Sequence, residues 1–474
     1  MPAVVDLVTS RYTFRVPLST AYGLFNANTG SVLRISGDDA EELSALLSAG
    51  HSSIRQDALD ASMVATLRRG GFLVDAGVDE LSAIRERYWV ARGNAPVVLV
   101  VTTTMDCNLG CYYCYESRSA DAMTVDDVAM LVAIARERLY RQGKRSLHVD
   151  WYGGEPLMNL AFLEQASLAL QTLCRSENVT YHASVVSNGT RWPEDVGSFV
   201  KRHRIRQVQI SFDGLADNHN RRRRYRRGYQ PAYDEPSFAK AAALVDRLLQ
   251  HTRVDVRFNA DHGNADDLRG FIDFATQRGW FDAPFRCVLM VAKVSAYSER
   301  SAFVRAHELS PQRLDELQAL ARSAVPIEAQ DRPDTVAGFP HPKTSVCGAL
   351  ASDSAVIGAD GLEYRCALQV GETHHAVAPL GQRRNLLVDY PTFTDREWWD
   401  GFDPTKLPTC SRCSFLPICW GGCPKQHLDA AQADIDTEGR FWRENLPRMI
   451  AEGLGDSVPE GFAFSTSDQF RDPP

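Results

Sequence analysis

The sequence predicts an α/β protein centred on a partial (β/α)6 TIM-like barrel, with an N-terminal small α+β (winged-helix-like) module and a C-terminal cysteine-rich domain. Six apolar runs alternate with amphipathic stretches between residues 97 and 291, which is typical of parallel βαβ units. Short β-like and helical runs precede residue 93, and six cysteines gather between Cys347 and Cys423. A chain of 474 residues is long enough for several such domains.

The N-terminal module, residues 1–92, contains β-like runs at 12–16 and 31–35, then helical segments at 38–47 and 58–69. It closes with the run GGFLV at 70–74. This order resembles small winged-helix domains that bind a peptide by adding it as a strand to a sheet edge. A structural cap on the barrel is the alternative role.

The barrel is predicted to cover residues 93–305. Strands are expected at 97–103, 147–151, 182–186, 208–212, 254–259 and 286–291. Helices are expected at 125–141, 160–175, 237–249 and 266–278. Cys174 and Cys287 fall on a predicted helix and strand, where core thiols are expected.

The remaining chain divides into a linker or helical bridge at 306–345, a cysteine-rich domain at 346–445 and a tail at 446–474. The cysteine-rich part has few strong apolar strands, and such segments are usually held together by metal. The tail is expected to be loosely ordered from Gly455 onward.

Composition excludes several classes of protein. The formal charge of −8 argues against general nucleic-acid binding, which needs a surplus of Lys and Arg. No apolar run is long enough to span a membrane, and the N-terminus lacks the pattern of a secretory signal. Eleven cysteines in a chain of this size suit metal binding in a reducing compartment. We therefore expect a cytoplasmic protein with no membrane or nucleic-acid partner.

The first cysteine group follows the first barrel strand directly. Cys107, Cys111 and Cys114 form a Cys-x3-Cys-x2-Cys loop at the strand end where α/β barrels place their chemistry. Three thiolates hold three irons of a [4Fe-4S] cluster and leave the fourth iron open for a ligand. The alternative is a zinc knuckle, which needs a fourth Cys or His that the loop lacks.

This loop resembles the signature of the radical S-adenosylmethionine (SAM) superfamily. The resemblance implies that SAM binds the open iron through its amino and carboxylate groups. One electron from the cluster then cleaves SAM to a 5'-deoxyadenosyl radical, which abstracts a substrate hydrogen.

Further positions match the SAM contacts of that superfamily. Glycines at a strand end allow close backbone approach, a carboxylate suits the SAM ammonium, and an arginine pairs with the SAM carboxylate. The matching residues are Tyr113, Gly153, Gly154, Glu155, Ser187, Asn188, Ser211, Asp213 and Arg223. The alternative for the Asn-Gly and Asp-Gly pairs is ordinary turn chemistry. For the arginine run at 221–227 the alternative is a solvated loop, although its other arginines could also bind acidic substrate groups.

The second cysteine group resembles the SPASM extension, which binds auxiliary [4Fe-4S] clusters in peptide and protein maturases. The resemblance implies that Cys347, Cys366 and Cys423 serve one cluster, and that Cys410, Cys413 and Cys419 serve a second. A zinc ribbon is the alternative.

The final cysteine of the SPASM pattern is missing, and Arg443 stands in its place. The second auxiliary cluster therefore has a non-cysteine ligand, has an open iron or is absent. Nearby donors are His427, Asp429, Asp434 and Asp436.

These resemblances imply an enzyme that oxidatively modifies, and most simply cross-links, a ribosomally made peptide or protein side chain. Its partners would be a precursor peptide or protein and an external one-electron reductant of the flavodoxin or ferredoxin type. One alternative is a formylglycine-generating sulfatase maturase, against which Ala367 counts because that subgroup has Asp at this position. Others are a small-molecule radical enzyme and a non-catalytic iron-sulfur electron-transfer or scaffold protein.

Overall fold

The chain forms two compact units, each built from segments distant in sequence. The structure is a computed structural model. It describes residues 6–36, 43, 60–116, 118–141, 143–229, 235–297, 299–326, 335–336, 339–381 and 393–470. One unit, the N/C unit, joins Met1–Asn94, Arg332–Val346 and Gly401–Pro474. The other, the barrel unit, joins Ala95–Asp331 and Cys347–Asp400. Among the described helices none is long and apolar enough to cross a membrane.

The N/C unit starts with a small α+β segment. Its elements are β1 (Leu7–Thr9), β2 (Thr13–Pro17), β3 (Tyr22–Asn26), β4 (Val32–Ile35), α1 (Ala61–Arg69), β5 (Leu73–Asp75) and α2 (Glu80–Asn94). Strands β2, β3 and β4 form an antiparallel sheet, and β1 pairs antiparallel with β5. The predicted runs at 12–16 and 31–35 correspond to β2 and β4, whereas β3 was missed. The helix predicted at 38–47 lies outside the described residues except for residue 43, which is helical.

The barrel unit contains six consecutive parallel strands with helices between them. The strands are β6 (Val97–Thr102), β7 (Ser146–Tyr152), β8 (Thr180–Ser187), β9 (Ile205–Phe212), β10 (Arg253–Ala260) and β11 (Cys287–Lys293). The helices are α3 (Asp127–Arg141), α4 (Leu160–Ser176), α5 (Val196–Arg202), α6 (Ala216–Arg222), α7 (Ser237–Leu248), α8 (Asp267–Gln277) and α9 (Pro311–Ala324). Each strand pairs in parallel with the next. The predicted fold class is confirmed, and all six predicted strands and four predicted helices form.

Alternation within the strands explains why they form a sheet. In β7 every second residue is buried, and Trp151 is fully buried on the core face. Phe212 of β9 and Phe258 of β10 are likewise fully buried. Burial of these large apolar side chains stabilises the fold by roughly 25 cal/mol for each Å² of apolar surface removed from water. All six strands therefore share one hydrophobic core.

The sheet continues beyond the barrel with three short strands, β12 (Ala355–Ile357), β13 (Leu362–Tyr364) and β14 (Ala378–Pro379). Strand β12 runs parallel to β6, and β13 and β14 follow antiparallel. Residues 347–400 thus belong to the barrel unit, rather than to a separate domain at 346–445. The observed units differ from the predicted domains because β12 pairs with β6 through backbone hydrogen bonds. This pairing groups residues 347–400 with the barrel, although the other cysteines of the predicted domain follow them in sequence.

The rest of the N/C unit is helical apart from one short antiparallel pair of strands, Thr335–Val336 and Phe339–Pro340. Helix α10 (Asp395–Gly401) belongs to the barrel unit except for Gly401. The helices of the N/C unit that follow it are α11 (Leu416–Cys419), α12 (Pro424–Leu428), α13 (Gln432–Gly453) and α14 (Thr466–Gln469). Phe415 stacks on Phe14 of β2 with ring centroids 5.0 Å apart. Phe464 packs on Phe14 at the same distance and is only 5% exposed. The tail predicted to be loose is therefore anchored by an aromatic cluster, at least as far as Phe470, which forms a β-bridge with Cys413.

Candidate active site

The first cysteine loop lies at the carboxyl end of β6 and is held by the segment that follows α6. The Gly110 N–H donates to the Arg224 carbonyl at 2.8 Å, and the Arg226 N–H donates to the Asn108 carbonyl at 3.0 Å. The Arg226 guanidinium also donates to the Cys107 carbonyl at 2.7 Å. The arginine run therefore forms a backbone support for the cysteine loop.

A cavity of about 460 Å³ opens beside this loop. All three cysteines of the loop line it. Seven of the nine predicted SAM contacts line it as well: Tyr113, Gly153, Gly154, Ser187, Asn188, Ser211 and Arg223. The fold thus brings residues from the ends of β6, β7, β8 and β9 to one place, as the parallel sheet requires.

The two other predicted contacts lie directly behind the lining. Asp213 is fully buried and accepts hydrogen bonds from the Tyr113 hydroxyl at 2.7 Å and from Arg223 at 3.3 Å. Arg223 also donates to the Tyr113 hydroxyl at 2.6 Å. Asp213 therefore orients two lining residues.

Glu155 is the second of these residues and is also fully buried. Its carboxylate accepts from the Ser187 hydroxyl at 2.9 Å and from the Asn188 backbone N–H at 2.7 Å. Burial raises the pKa of Glu155 to about 7. These bonds connect the end of β7 to the end of β8, so the carboxylate positions Ser187 and Asn188, which line the cavity.

Neighbouring backbone packs too closely around positions 153 and 154 for any residue but glycine. A Cβ atom on Gly154 would lie 2.2 Å from the Asp106 carbonyl oxygen, and one on Gly153 would lie 2.3 Å from the Thr104 carbonyl oxygen. Gly153 also has φ of +125°, which disfavours other residues. The glycines therefore let the β7 end pack against the start of the cysteine loop, besides leaving room for a ligand.

Arg222 is buried, unlike a residue in a solvated charge run. It donates two hydrogen bonds of 2.8 Å to Asp261 and lies 3.2 Å from Asp213. The Tyr112 hydroxyl also contacts Asp261. The solvated-loop interpretation is thus wrong for Arg222 and Arg223, which are 8% and 7% exposed.

Several cavity residues were missed from the sequence. They are Tyr115, Glu116, Tyr152, Gln209, Arg257, Lys293 and Tyr297, among others. Tyr152 and Lys293 are the last residues of β7 and β11, so their strand-end positions were the available signal. Burial raises the pKa of Glu116 to about 7. The cavity thus contains both acidic and basic groups beyond those predicted to bind SAM.

The donor set fits an iron-sulfur cluster with an open iron. Three cysteine thiols face one cavity, and the Leu109 N–H and Asn188 amide donate to the Cys107 sulfur at 3.4 and 3.7 Å. Such hydrogen bonds to ligand sulfur are typical of iron-sulfur sites. Arg223 provides a fixed positive charge in the same cavity, suited to a carboxylate ligand.

The second cysteine group is divided between the units. Cys347 and Cys366 belong to the barrel unit, whereas Cys410, Cys413, Cys419 and Cys423 belong to the N/C unit. In the N/C unit the Cys413 N–H donates to the Cys410 carbonyl at 3.0 Å, which forms a tight turn. The ligand sets inferred from resemblance stay predictions.

Comparison with known proteins identifies the class. Residues 101–243 match the Radical SAM superfamily model. A serine-type anaerobic sulfatase-maturating enzyme from Klebsiella pneumoniae is 38% identical over 350 residues, covering 69% of this chain and 80% of the relative. The chain therefore belongs to the radical SAM superfamily, in the family of the anaerobic sulfatase-maturating enzymes.

Two further similarities agree with this assignment. The radical SAM cyclopropyl synthase TigE of Paramaledivibacter caminithermalis is 22% identical over 168 residues, covering 31% of this chain and 35% of that relative. The fold matches a solved structure, native anSMEcpe with bound AdoMet and Kp18Cys peptide, with TM-score 0.53 and 20% identity. That match covers 76% of this chain and all of the other. The protein is a radical SAM enzyme, and its cofactors are SAM and a [4Fe-4S] cluster.

Proposed function

We propose that this enzyme oxidatively modifies a side chain of a ribosomally made peptide or protein, most simply by cross-linking it. The observation that carries the proposal is the cavity that joins the cysteine loop, the predicted SAM contacts and unassigned polar residues. When bound, the cluster and SAM supply a 5'-deoxyadenosyl radical that abstracts a hydrogen. Cys107, Cys111 and Cys114 would hold the cluster, and Tyr113, Arg223 and Asn188 would orient SAM.

The choice of a peptide substrate is supported by the relatives, which include a sulfatase-maturating enzyme. It is also supported by the six cysteines from Cys347 to Cys423, because auxiliary clusters provide an acceptor for the electron of a substrate radical. The antiparallel sheet β2–β4 offers edges for binding a leader peptide by strand addition. We further propose a cytoplasmic location and a flavodoxin or ferredoxin as the external reductant.

Formylglycine formation is the second candidate, favoured by the 38% identity to a serine-type maturase. The segment after Cys366 argues against it. Leu368 of that segment lines the cavity, and its neighbour Ala367 has no proton-accepting group. We therefore place cross-linking first.

The radical chemistry is tested by following 5'-deoxyadenosine formation from SAM under anaerobic reduction. We expect the wild type to form it and the variant Cys107→Ala/Cys111→Ala/Cys114→Ala to form none. Cys174→Ala, which removes a buried helix thiol, is the matched control and should behave as wild type. An active triple variant would contradict the assignment of the cluster ligands.

The substrate is tested with a precursor peptide encoded beside the gene and with a serine-containing sulfatase peptide. We expect loss of two hydrogens from the precursor, no reaction with an aldehyde probe, and deuterium transfer from labelled precursor into 5'-deoxyadenosine. An aldehyde-reactive product from the sulfatase peptide would instead establish formylglycine formation. Turnover of neither peptide would refute a substrate of this kind.

A further inference from the structure

A group of metal-binding side chains lies outside both cysteine groups. Glu372, His374 and His375 stand within four residues of one another in the barrel unit, between β13 and β14. One donor atom of each residue lies within 4.8 Å of the donor atoms of the other two. The proposed radical chemistry does not use these side chains, so their grouping calls for a separate explanation.

The backbone holds the three residues on one short turn. Thr373–His375 form a 3-10 helical turn that begins after Glu372. The backbone N–H of His375 donates to the Glu372 carbonyl at 2.9 Å, and the Val377 N–H donates to the Glu363 carbonyl of β13 at 2.8 Å. The Glu372 carboxylate does not cap this turn and lies beside the His375 ring instead. The turn is therefore anchored to the barrel sheet by its backbone and not by this side chain.

The spacing of the donor atoms suits one metal ion. A carboxylate oxygen of Glu372 lies 3.8 Å from the Nε2 atom of His375, which is too long for a hydrogen bond. Zinc binds histidine nitrogen at about 2.0–2.1 Å and carboxylate oxygen at about 2.0–2.2 Å, so two such ligands lie at most about 4.3 Å apart. The exposed His374 ring has its centroid 4.0 Å from that of His375. A shift of less than about 1 Å in this exposed side chain brings all three donors within reach of one ion.

Asp395 provides a second, independent indication of a metal site. A carboxylate oxygen of Asp395, on α10, lies 2.7 Å from the Nδ1 atom of His375. The two side chains are 14% and 17% exposed. A proton on Nδ1 donates to this carboxylate and leaves the lone pair of Nε2 for a ligand. Metal-binding histidines characteristically donate their other ring N–H to a carboxylate in this way. Nε2, the atom beside Glu372, is therefore presented in its metal-binding form.

The chemistry of the donors selects the metal. Imidazole nitrogen suits zinc, copper and nickel, whereas magnesium and calcium prefer oxygen donors. Two histidines and one glutamate are an established zinc-binding set that leaves one position for water. The carboxylates of Glu372 and Asp395 balance the charge of a divalent cation. Since none of these residues supplies a thiolate, the set does not suit an iron-sulfur cluster.

We propose that Glu372, His374 and His375 bind a zinc ion, with water as its fourth ligand and Asp395 orienting His375 from outside. The ion ties the turn to α10 through the bond between His375 and Asp395. It thereby stabilises the segment that follows Leu368, which lines the cavity beside the cysteine loop. This inference goes beyond the proposed function because it concerns a metal that takes no part in the radical chemistry.

The test measures zinc bound to the full-length holoprotein. The protein is first reconstituted anaerobically with iron and sulfide, and zinc chloride is then titrated in. Zinc and iron per chain are counted, and the zinc K-edge X-ray absorption spectrum identifies the atoms bound to zinc. Wild type, Glu372→Gln, His375→Ala, His375→Cys and Asp395→Ala are compared. The matched controls are His251→Ala and Glu397→Gln, which change exposed residues elsewhere in the barrel unit.

We expect His375→Ala to bind one zinc ion per chain fewer than wild type. The difference between their spectra should show only nitrogen and oxygen ligands at about 2.0–2.2 Å, which separates this site from zinc bound to any cysteine left without iron. Asp395→Ala should weaken zinc binding about 10–100-fold, and Glu372→Gln, which alters a ligand, should weaken it at least as much. His375→Cys should retain the ion and add one sulfur ligand at about 2.3 Å. Both controls should match wild type.

Two results would overturn the proposal. One is equal zinc content and affinity in wild type, His375→Ala and Glu372→Gln, which would leave His375 in an ordinary ion pair with Asp395. The other is a folded His375→Cys whose zinc gains no sulfur ligand relative to wild type. Far-UV circular dichroism shows whether each variant is folded, and if His375→Ala is not, the conservative change Glu372→Gln decides. None of these readouts requires substrate turnover, so a failed cross-linking assay does not affect them.

Discussion

The two cysteine loops of this protein are supported in different ways. The loop at Cys107 is supported by buried ion pairs and hydrogen bonds between side chains. Arg222 bridges Asp213 and Asp261, and Arg223 joins Asp213 to Tyr113. The turn at Cys413 rests on aromatic rings: Phe14, Phe415 and Phe464 stack beneath it, and Trp420 packs edge-on to Tyr88.

This difference has a physical basis. A site that binds a zwitterion such as SAM needs fixed charges that cost no reorganisation when the ligand arrives. A site that only holds a cluster needs rigid geometry, which close aromatic packing provides. Substitutions in the two supports should therefore have separable effects.

The largest effect is expected for Arg222→Met. The change leaves the carboxylates of Asp213 and Asp261 buried without their main partner, which costs about 3–5 kcal/mol. We expect a lower urea midpoint and slower 5'-deoxyadenosine formation, with the auxiliary iron content retained. Arg224→Met, at an exposed position of the same run, is the control and should change stability by under about 1 kcal/mol. Equal losses in the two variants would refute the role of buried charge.

A loss of about 3–4 kcal/mol is expected for Phe415→Ala, because the residue is fully buried in the aromatic stack. Phe415→Leu keeps most of the volume and should cost less. Here the auxiliary iron should fall while 5'-deoxyadenosine formation without peptide persists. If Phe415→Ala lost both the auxiliary iron and 5'-deoxyadenosine formation, the two supports would not be separable.

Two glycine substitutions compare the loops directly. Gly154→Ala would bring a Cβ atom within 2.2 Å of the Asp106 carbonyl oxygen, so we expect a cost of about 2–3 kcal/mol and weaker SAM binding. Gly422→Ala meets the Glu438 side chain, which can move, and costs about 1–2 kcal/mol for its φ of +71°. Denaturant midpoints and SAM titrations measure both. If Gly422→Ala lowered the stability more than Gly154→Ala, the expected order of the two loops would be wrong.

The smallest effect is expected for Arg226→Met. Arg226 pairs with Asp106 at the rim, where both side chains are partly exposed. The ion pair contributes about 0.5 kcal/mol, and salt screens it. The hydrogen bond from Arg226 to the Cys107 carbonyl contributes about 0.5 kcal/mol more, which salt does not screen. The stability lost in Arg226→Met should decrease at high ionic strength, whereas the stability lost in Arg222→Met should not. Salt-independent destabilisation by Arg226→Met would contradict this distinction.

Much of the barrel was predictable because its signals are local. The alternation in β7 and the helical periods of α3 and α4 lie within short windows of sequence, and the predicted bounds are within three residues of those observed. The cysteine loop was predictable for the same reason, since its spacing is contained in eight residues. Strand β3 was missed because its burial depends on partners β2 and β4 and not on its own pattern.

The roles of acidic residues were harder to predict. Glu155 and Asp213 were selected as ligand contacts, yet their carboxylates bind Ser187, Asn188, Tyr113 and Arg223 behind the cavity. The approach of Glu438 to Gly422 likewise results from the packing of α13 on a left-handed turn. Spacing along the chain carries no information about such contacts.

The sequence by itself determined the barrel, its six strands and the cysteine loop, because parallel βαβ units and short metal motifs are encoded by neighbouring residues. Only the tertiary structure decided how distant segments group: residues 401–474 join the N-terminal strands, and residues 347–400 extend the barrel sheet. It also decided which arginines are buried. Both outcomes depend on hydrogen bonds and packing between residues far apart in the chain, which no local pattern records.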